Sequence, residues 1–290
     1  MRELGGSAGK SWAEGSFRTN DGVQLHYLFA GAGKPVVLIP GWSQTAAQWK
    51  FQIEHLAATH HVIAVDMRGH GHSEKTDHGY RIARLAADLD DLIRALDLSD
   101  VTLVGHSMGS SVIWSYLEQY GEAKVERMVF VDQASAIVSM PNWSEQERLS
   151  AGSILSAEEA VDLVIRLARD DGSLSTSFVT SMFSAGYSSR ELAWVLDQNA
   201  LFPRRQAAQL FYDHAFKDWR DVIARITRPC LCVGARRSIV PWQAMVSLGR
   251  AIEYSHTVIF ENDEGGSHFM FLENPSKFNS IISSFIEQAV

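Results

Sequence analysis

Short apolar runs recur along this chain, and stretches with helix-like spacing separate them. Continuous runs rich in Val, Ile and Leu are typical of strands that are buried on both faces of a parallel sheet. Such runs lie at residues 35–40, 61–66, 101–104, 127–132, 229–234 and 256–260. Before them, residues 16–30 alternate around Asn20-Asp21-Gly22, which predicts a hairpin and two further strands. We therefore predict an α/β fold with a mainly parallel, eight-stranded sheet.

One segment interrupts this rhythm and predicts an inserted helical cap. Residues 137–217 contain helix-like stretches and many aromatic side chains but no clear buried strand. We expect this cap to cover the carboxyl ends of the strands, where such sheets bind ligands. The remaining chain divides into a core (16–136 and 218–290) and a flexible tail (1–15). The side chains that we expect to line a substrate pocket under the cap are Trp143, Met182, Phe183, Tyr187 and Trp194.

The pentapeptide at residues 105–109 carries the most specific chemical signal. It has the pattern G-x-S-x-G, and it stands between an apolar, β-branched run and a helix-like segment. In that context the pattern predicts a nucleophile elbow, a sharp turn that lifts the hydroxyl of Ser107 above the edge of the sheet. Small residues at both ends of the motif keep the crowded backbone free of side-chain clashes.

A serine nucleophile needs a neighbouring base, and His268 is the best placed histidine. It follows the last predicted strand, and the small residues at 265–267 leave room for its loop. Pro275 stands near the start of the closing helix, a favoured position for proline. We expect the His268 imidazole to take the proton of the Ser107 hydroxyl.

Composition and charge narrow the classes of partner. The net charge of −8 argues against nucleic acid and anionic membranes, and no apolar run is long enough to cross a bilayer. Cys230 and Cys232 lie two residues apart in an apolar run, so we expect reduced thiols and a cytoplasmic protein. We find no metal-binding spacing and no phosphate-binding loop, and we expect neither a metal nor a cofactor. The sequence leaves open whether the chain forms a homodimer.

Taken together, the chain resembles the α/β-hydrolase fold superfamily. The resemblance rests on Pro40-Gly41-Trp42, on residues 66–73, on the elbow, and on Ser267-His268-Phe269 followed by Glu273-Asn274-Pro275. These motifs stand in the order that the superfamily shows. The resemblance implies a serine hydrolase type with a catalytic triad, but it does not imply a particular substrate.

The chain departs from the superfamily at the third member of the triad. Most members carry an aspartate after the seventh strand, where this chain has Arg237. A minority place the acid after the sixth strand, and Asp132 stands there. The resemblance thus implies Asp132 as the residue that orients His268. Asp263 and Glu264 are weaker candidates because they lie on the same loop as the histidine.

The superfamily also implies an oxyanion hole made from two backbone N–H groups. These would belong to Met108, at the head of the helix after the elbow, and to Trp42, on the loop after the first central strand. The Trp42 indole would then stand at the mouth of the site, although it could equally be a core side chain.

The favoured function is hydrolysis of a carboxylic ester or lactone of a mainly apolar small molecule, through an acyl-enzyme. A distant similarity to the cofactor-independent 3-hydroxy-4-oxoquinoline 2,4-dioxygenases supplies an alternative. Those enzymes share Gly41-Trp42 and the acid position of Asp132, but they tend to have a histidine where this chain has Met108. A C–C bond hydrolase and a ligand receptor on the same fold also stay open.

Overall fold

The structure is a computed structural model, and it describes residues 11–288. Within that range the chain forms one sheet of eight strands, which confirms the predicted fold class. The strands are β1 (Ala13–Arg18), β2 (Gln24–Ala30), β3 (Pro35–Ile39), β4 (His61–Val65), β5 (Val101–His106), β6 (Val125–Val131), β7 (Cys230–Ala235) and β8 (Ser255–Phe260). The first strand starts at Ala13, so the core begins earlier than residue 16, and residues 1–10 of the predicted tail lie outside the described range.

Helices connect the strands and cover the sheet. The helices are α1 (Lys50–Leu56), α2 (Ile82–Ala95), α3 (Met108–Tyr120), α4 (Glu145–Ala151), α5 (Ala157–Ala168), α6 (Ser173–Ser181), α7 (Ser189–Ala200), α8 (Arg204–Ala215), α9 (Arg220–Ile223), α10 (Trp242–Ala251), α11 (Met270–Glu273) and α12 (Pro275–Ile286). A 3₁₀ turn, Ala46–Trp49, precedes α1. Over residues 11–288, no helix is long and apolar enough to span a membrane.

The sheet has the order β1-β2-β4-β3-β5-β6-β7-β8. The hairpin of β1 and β2 is antiparallel and joins β4 in an antiparallel sense, whereas the strands from β4 through β3 to β8 run parallel. The carboxyl ends of β3, β5, β6, β7 and β8 therefore point to the same edge. Loops that follow these strands can place their side chains in one site.

The two faces of the sheet bury two separate apolar layers. Along β3, Val37 and Ile39 pack with α2 and α3, whereas Val36 and Leu38 pack with α1 and α12. This alternation follows from the period of two residues along a strand. Both faces are apolar because helices cover both of them, which explains the continuous hydrophobic runs in the sequence.

The insertion between β6 and β7 is helical. Residues 137–217 contain α4 to α8, and an isolated antiparallel bridge between Ala136 and Asp218 pairs the two ends of the insertion. Capping boxes at Ser144 and Ser156 start α4 and α5, since each serine accepts from the backbone N–H three residues later. The insertion follows the loop after β6, so it begins at the edge where the parallel strands end.

A buried arginine links the hairpin to the helical layer. The side chain of Arg68 is fully buried. Its guanidinium donates to both carboxylate oxygens of Asp88 on α2, at 2.9 and 2.8 Å, and to Asp21 in the hairpin turn, at 2.8 Å. Arg84 also donates to Asp88, at 2.9 Å. A buried guanidinium is tolerated only when such partners compensate its charge.

We expect Asp88→Ala to lower the free energy of unfolding by about 3 kcal/mol, because it leaves the Arg68 charge buried with a single acidic partner. The matched control is Asp162→Ala, which breaks the exposed pair with Arg166 on α5 and should cost less than about 1 kcal/mol. Urea denaturation of both variants measures the difference. Equal losses would contradict the assigned role of Arg68.

Candidate active site

The elbow has the strand–turn–helix geometry that the sequence predicts. Ser107 stands between β5 and α3, with φ 52° and ψ −128°. Its backbone N–H donates to Val131 O at 2.7 Å, which holds the turn against β6. A Cβ on Gly109 would lie 2.3 Å from Ile39 O, and one on Gly105 would lie 2.6 Å from the carbonyl carbon of Gly109. Both contacts are too short for any side chain, so both positions require glycine.

His268 and Asp132 form a buried hydrogen-bonded pair. His268 Nδ1 lies 2.6 Å from Asp132 Oδ2, and the two residues are 2% and 0% exposed. Asp132 directly follows β6, with φ 52°, and its backbone N–H donates to Val233 O at 2.8 Å. His106 also reaches the histidine loop, because its Nε2 lies 2.8 Å from His268 O. The structure thus brings the predicted base and the predicted acid together.

Ser238 contacts both residues of this pair, and the sequence analysis did not predict this. Its hydroxyl donates to Asp132 Oδ2 and lies 3.5 Å from His268 Nδ1. Ser238 follows β7 and stands one residue after Arg237, the residue that occupies the usual acid position of the superfamily. The signal available in the sequence was a serine next to Arg237, the residue that replaces the usual acid.

Burial decides the protonation of the pair. It lowers the pKa of His268 to about 3, so the imidazole is neutral near pH 7 and can accept a proton. Burial also raises the pKa of Asp132, whereas hydrogen bonds from the Ser238 hydroxyl and the Ala235 backbone oppose that rise. Ser238 therefore helps to keep the Asp132 carboxylate charged beside His268.

Ser107 and His268 line the same cavity under the insertion. The cavity has a volume of about 80 Å³, which is small beside the pockets that hold drug-sized ligands. Its wall is mostly apolar. Side chains of this wall include Ile137, Leu155, Leu163, Phe178, Met182 and Phe211. The cavity therefore presents mainly hydrocarbon and aromatic surface beside Ser107 and His268.

Of the five predicted pocket residues, Met182 lines the cavity and the other four do not. Trp143 packs under the Arg220 guanidinium, 4.3 Å from the ring centre, and Trp194 packs under the Lys50 ammonium at 4.2 Å. Phe183 stacks on Phe269, with ring centres 4.3 Å apart, and Tyr187 stacks on Phe183 at 4.7 Å. These four predictions are wrong because the aromatic rings pack the insertion against the core or cover cations.

The two predicted oxyanion donors come from two different loops at this edge of the sheet. Met108 is the first residue of α3, and Trp42 lies on the loop after β3. Among residues 11–288, neither backbone N–H has a protein acceptor, so both stay available to a ligand. The Trp42 ring lines the cavity, and its indole N–H donates to Ala207 O on α8 at 2.8 Å.

With this geometry in place, the family can be assigned. A family model described as the alpha/beta hydrolase fold matches residues 34–275. The chain belongs to this family. It is therefore an enzyme of hydrolase type, which confirms the resemblance seen in the sequence.

Named relatives illustrate the range of this family. The chain is 41% identical to the non-heme chloroperoxidase CPO-A1 of Kitasatospora aureofaciens over 114 residues, which are 39% of this chain and 42% of that protein. The esterase EaEST from Exiguobacterium antarcticum matches with a TM-score of 0.86 and 23% identity, over 94% of this chain and 99% of that chain. The enol-lactonase from Burkholderia xenovorans LB400 matches with a TM-score of 0.80 and 24% identity, over 94% and 100%. At these identities the two structures show the fold.

We expect Ser238→Ala to move the acid limb of the pH–rate profile upwards by about one pH unit. Removing the hydroxyl raises the pKa of Asp132, so the carboxylate that orients His268 is lost at a higher pH. Initial rates of ester hydrolysis between pH 4 and 9 measure this shift. The control is Ser255→Ala, a half-buried serine bonded to Gly249 O, which should leave the limb in place. An unmoved limb in Ser238→Ala would contradict the role of Ser238.

Proposed function

We propose that this enzyme hydrolyses a carboxylic ester or lactone through an acyl-enzyme on Ser107. The observation that carries the proposal is the buried Asp132–His268 pair, whose histidine lines the same cavity as a serine on a strained elbow. In the first step His268 takes the hydroxyl proton as Ser107 attacks the carbonyl carbon. The imidazolium then protonates the departing alkoxide.

The second half of the reaction reverses these roles. Neutral His268 takes a proton from water, and the resulting hydroxide attacks the acyl carbon. The imidazolium then returns the proton to Ser107 as the acid leaves. The Asp132 carboxylate stabilises the imidazolium in both halves. This partner matters more than it would in water, because burial otherwise disfavours a charged imidazole.

The backbone N–H groups of Trp42 and Met108 are assigned to the oxyanion in both tetrahedral intermediates. Fixed donors of this kind typically contribute a few kcal/mol to the rate, because they need no reorganisation when the charge develops. The positive end of the α3 dipole adds to the effect at Met108.

The cavity supports a small, mainly apolar substrate. Its wall is hydrocarbon or aromatic over most positions, and its volume is about 80 Å³. The likeness to an esterase and to an enol-lactonase of the same fold supports the choice of ester and lactone carbonyls. Short-chain esters and small lactones are therefore the first compounds to test.

We expect a fluorophosphonate to add once to the wild-type chain and not at all to Ser107→Ala, because the probe reacts only with an activated serine. Intact-mass spectrometry measures the adduct. Ser111→Ala, a buried serine on α3 away from the cavity lining, is the matched control and should keep the adduct. If the wild type gains no adduct, the result would contradict the proposed serine hydrolase and favour the dioxygenase or receptor alternatives.

We expect Asp132→Asn to lower kcat by about 10⁴-fold, because an amide cannot hold the imidazole in the reactive tautomer or stabilise the imidazolium. Asp263→Asn, on the loop of His268 but exposed, should change kcat less than about twofold. Steady-state hydrolysis of a short 4-nitrophenyl ester measures both. The reverse ranking would move the acid to Asp263.

A further inference from the structure

A strained turn carries one of the two proposed oxyanion donors, the backbone N–H of Trp42. Residues 41–44 form this turn, which the Gln44 N–H closes by donating to Gly41 O at 3.2 Å. Among these four residues only Ser43, the third, has a positive φ, of 59°. That pattern defines a type II turn, in which glycine or asparagine normally fills the third position. A serine holds this conformation only where its surroundings impose it.

The imidazole of His70 imposes it through the central peptide of the turn. The Ser43 N–H donates to His70 Nε2 at 3.1 Å, and His70 Nδ1 lies 2.9 Å from Arg68 O. A backbone N–H can only donate and a carbonyl can only accept, so these two partners fix the tautomer, with the proton on Nδ1. Burial lowers the pKa of His70 to about 4, so the ring is neutral near pH 7 and Nε2 keeps its lone pair.

The Ser43 hydroxyl ties the same turn to the insertion. It donates to Asn199 O at 2.9 Å and accepts from Arg204 Nη2 at 2.8 Å. The same guanidinium also donates to Asn199 O at 2.6 Å and to Ser175 Oγ on α6 at 3.1 Å. Glycine would relieve the strain at this position, but it lacks the hydroxyl that makes these contacts. The contacts therefore account for a serine in a position that favours glycine.

These hydrogen bonds leave the backbone of Trp42 little freedom. The peptide before it is fixed because Gly41 O accepts from Gln44, and the peptide after it is fixed because the Ser43 N–H donates to His70. In a trans peptide the N–H points away from the C=O, so the Trp42 N–H points away from the inside of the turn. Among residues 11–288 it has no acceptor, which leaves it available to a ligand.

The turn packs directly against the proposed nucleophile, since a Cβ on Gly41 would lie 3.0 Å from Ser107 Cβ. Packing alone does not require an imidazole beside this turn. The fully buried ring of His70 packs on Phe202, with ring centres 3.9 Å apart, and an apolar side chain could make that contact as well. The imidazole adds an acceptor for the turn and a donor for its own loop, which a hydrocarbon side chain cannot supply.

We infer that His70 is a positioning residue, which holds the turn that presents the Trp42 N–H to the oxyanion. For the oxyanion this role rests on the proposed function, whereas the held turn is a property of the free protein. Without the acceptor on His70, the central peptide can rotate and Ser43 can relax to the negative φ of a type I turn. The donor is then no longer fixed before the charge develops, and such fixed donors are the source of the rate gain.

The first measurement needs no variant. In long-range proton–nitrogen spectra of the free protein at pH 7, labelled with ¹⁵N in its histidines, we expect the His70 ring to carry its proton on Nδ1 and none on Nε2. The signal that disappears in His70→Gln assigns the ring. A proton on Nε2 would overturn the inference, because that nitrogen could not accept from Ser43.

Two variants test the effect on the reaction. His70→Leu removes the acceptor, and we expect kcat for a short 4-nitrophenyl ester to fall about 10²-fold while KM changes less than about threefold, since the donor acts on the transition state. His70→Gln offers Ser43 an amide oxygen and should regain about tenfold of that loss. The matched control is His60→Leu, a buried histidine before β4 that bonds Thr59, which should keep kcat within about twofold.

A trifluoromethyl ketone separates the loss of an oxyanion donor from a general loss of folded enzyme. When Ser107 adds to the carbonyl carbon of 1,1,1-trifluorobutan-2-one, its proton passes to His268 and the ketone oxygen becomes an oxyanion. The inhibition constant should therefore rise in His70→Leu by the same factor as kcat/KM falls.

Wild-type kcat in His70→Leu, or a lower kcat with an unchanged inhibition constant, would overturn the inference and leave the proposed function intact. The tautomer of His70 decides the inference if His70→Leu does not fold. A wild type that hydrolyses no ester and does not bind the ketone would reject the proposed function instead. A proton on His70 Nδ1 in that same protein would still support the held turn.

Discussion

The site depends on how closely α3 approaches the ends of β3 and β5. Gly105 and Gly109 allow this approach, because a methyl group at either position would fall within 2.6 Å of backbone atoms. The approach fixes the turn at Ser107, immediately before the first residue of α3. A single steric condition thus places the proposed nucleophile, one proposed oxyanion donor and the helix dipole together. Every other group of the site is arranged around that point.

The loops at this edge hold their side chains with strained backbones. Ser43, Ser107 and Asp132 all have positive φ, a conformation that costs a non-glycine residue about 1–3 kcal/mol. Neighbouring strands hold two of them, since Ser107 and Asp132 donate backbone hydrogen bonds to Val131 O and Val233 O. The backbone hydrogen bonds between neighbouring strands thus continue into the loops, and they offset the strain. Rigid support of this kind keeps a reactive geometry in place without a bound ligand.

Local patterns predicted the sheet and the hydrolase fold, but they could not predict which side chains of the insertion line the cavity. Strands and elbow are short-range features, and Asp132 followed from a resemblance once Arg237 had ruled out the usual position. Met182 lines the cavity and Trp194 does not, because the sequence of a helix does not reveal which neighbour an aromatic side chain meets. Ser238 was missed since its role exists only when β6 and β7 place their ends side by side.

The insertion and the proposed oxyanion loop form one hydrogen-bonded unit. The Trp42 indole donates to Ala207 O at 2.8 Å, the Ser43 hydroxyl donates to Asn199 O at 2.9 Å, and Thr45 donates to Gln198 at 2.8 Å. Any displacement of α7 or α8 would therefore act on the loop that carries the Trp42 amide. Asn199 also lines the cavity, so the same unit borders the space that the proposed reaction assigns to the substrate. In the proposed reaction, this linkage would let binding energy from a remote part of the substrate support the chemical step.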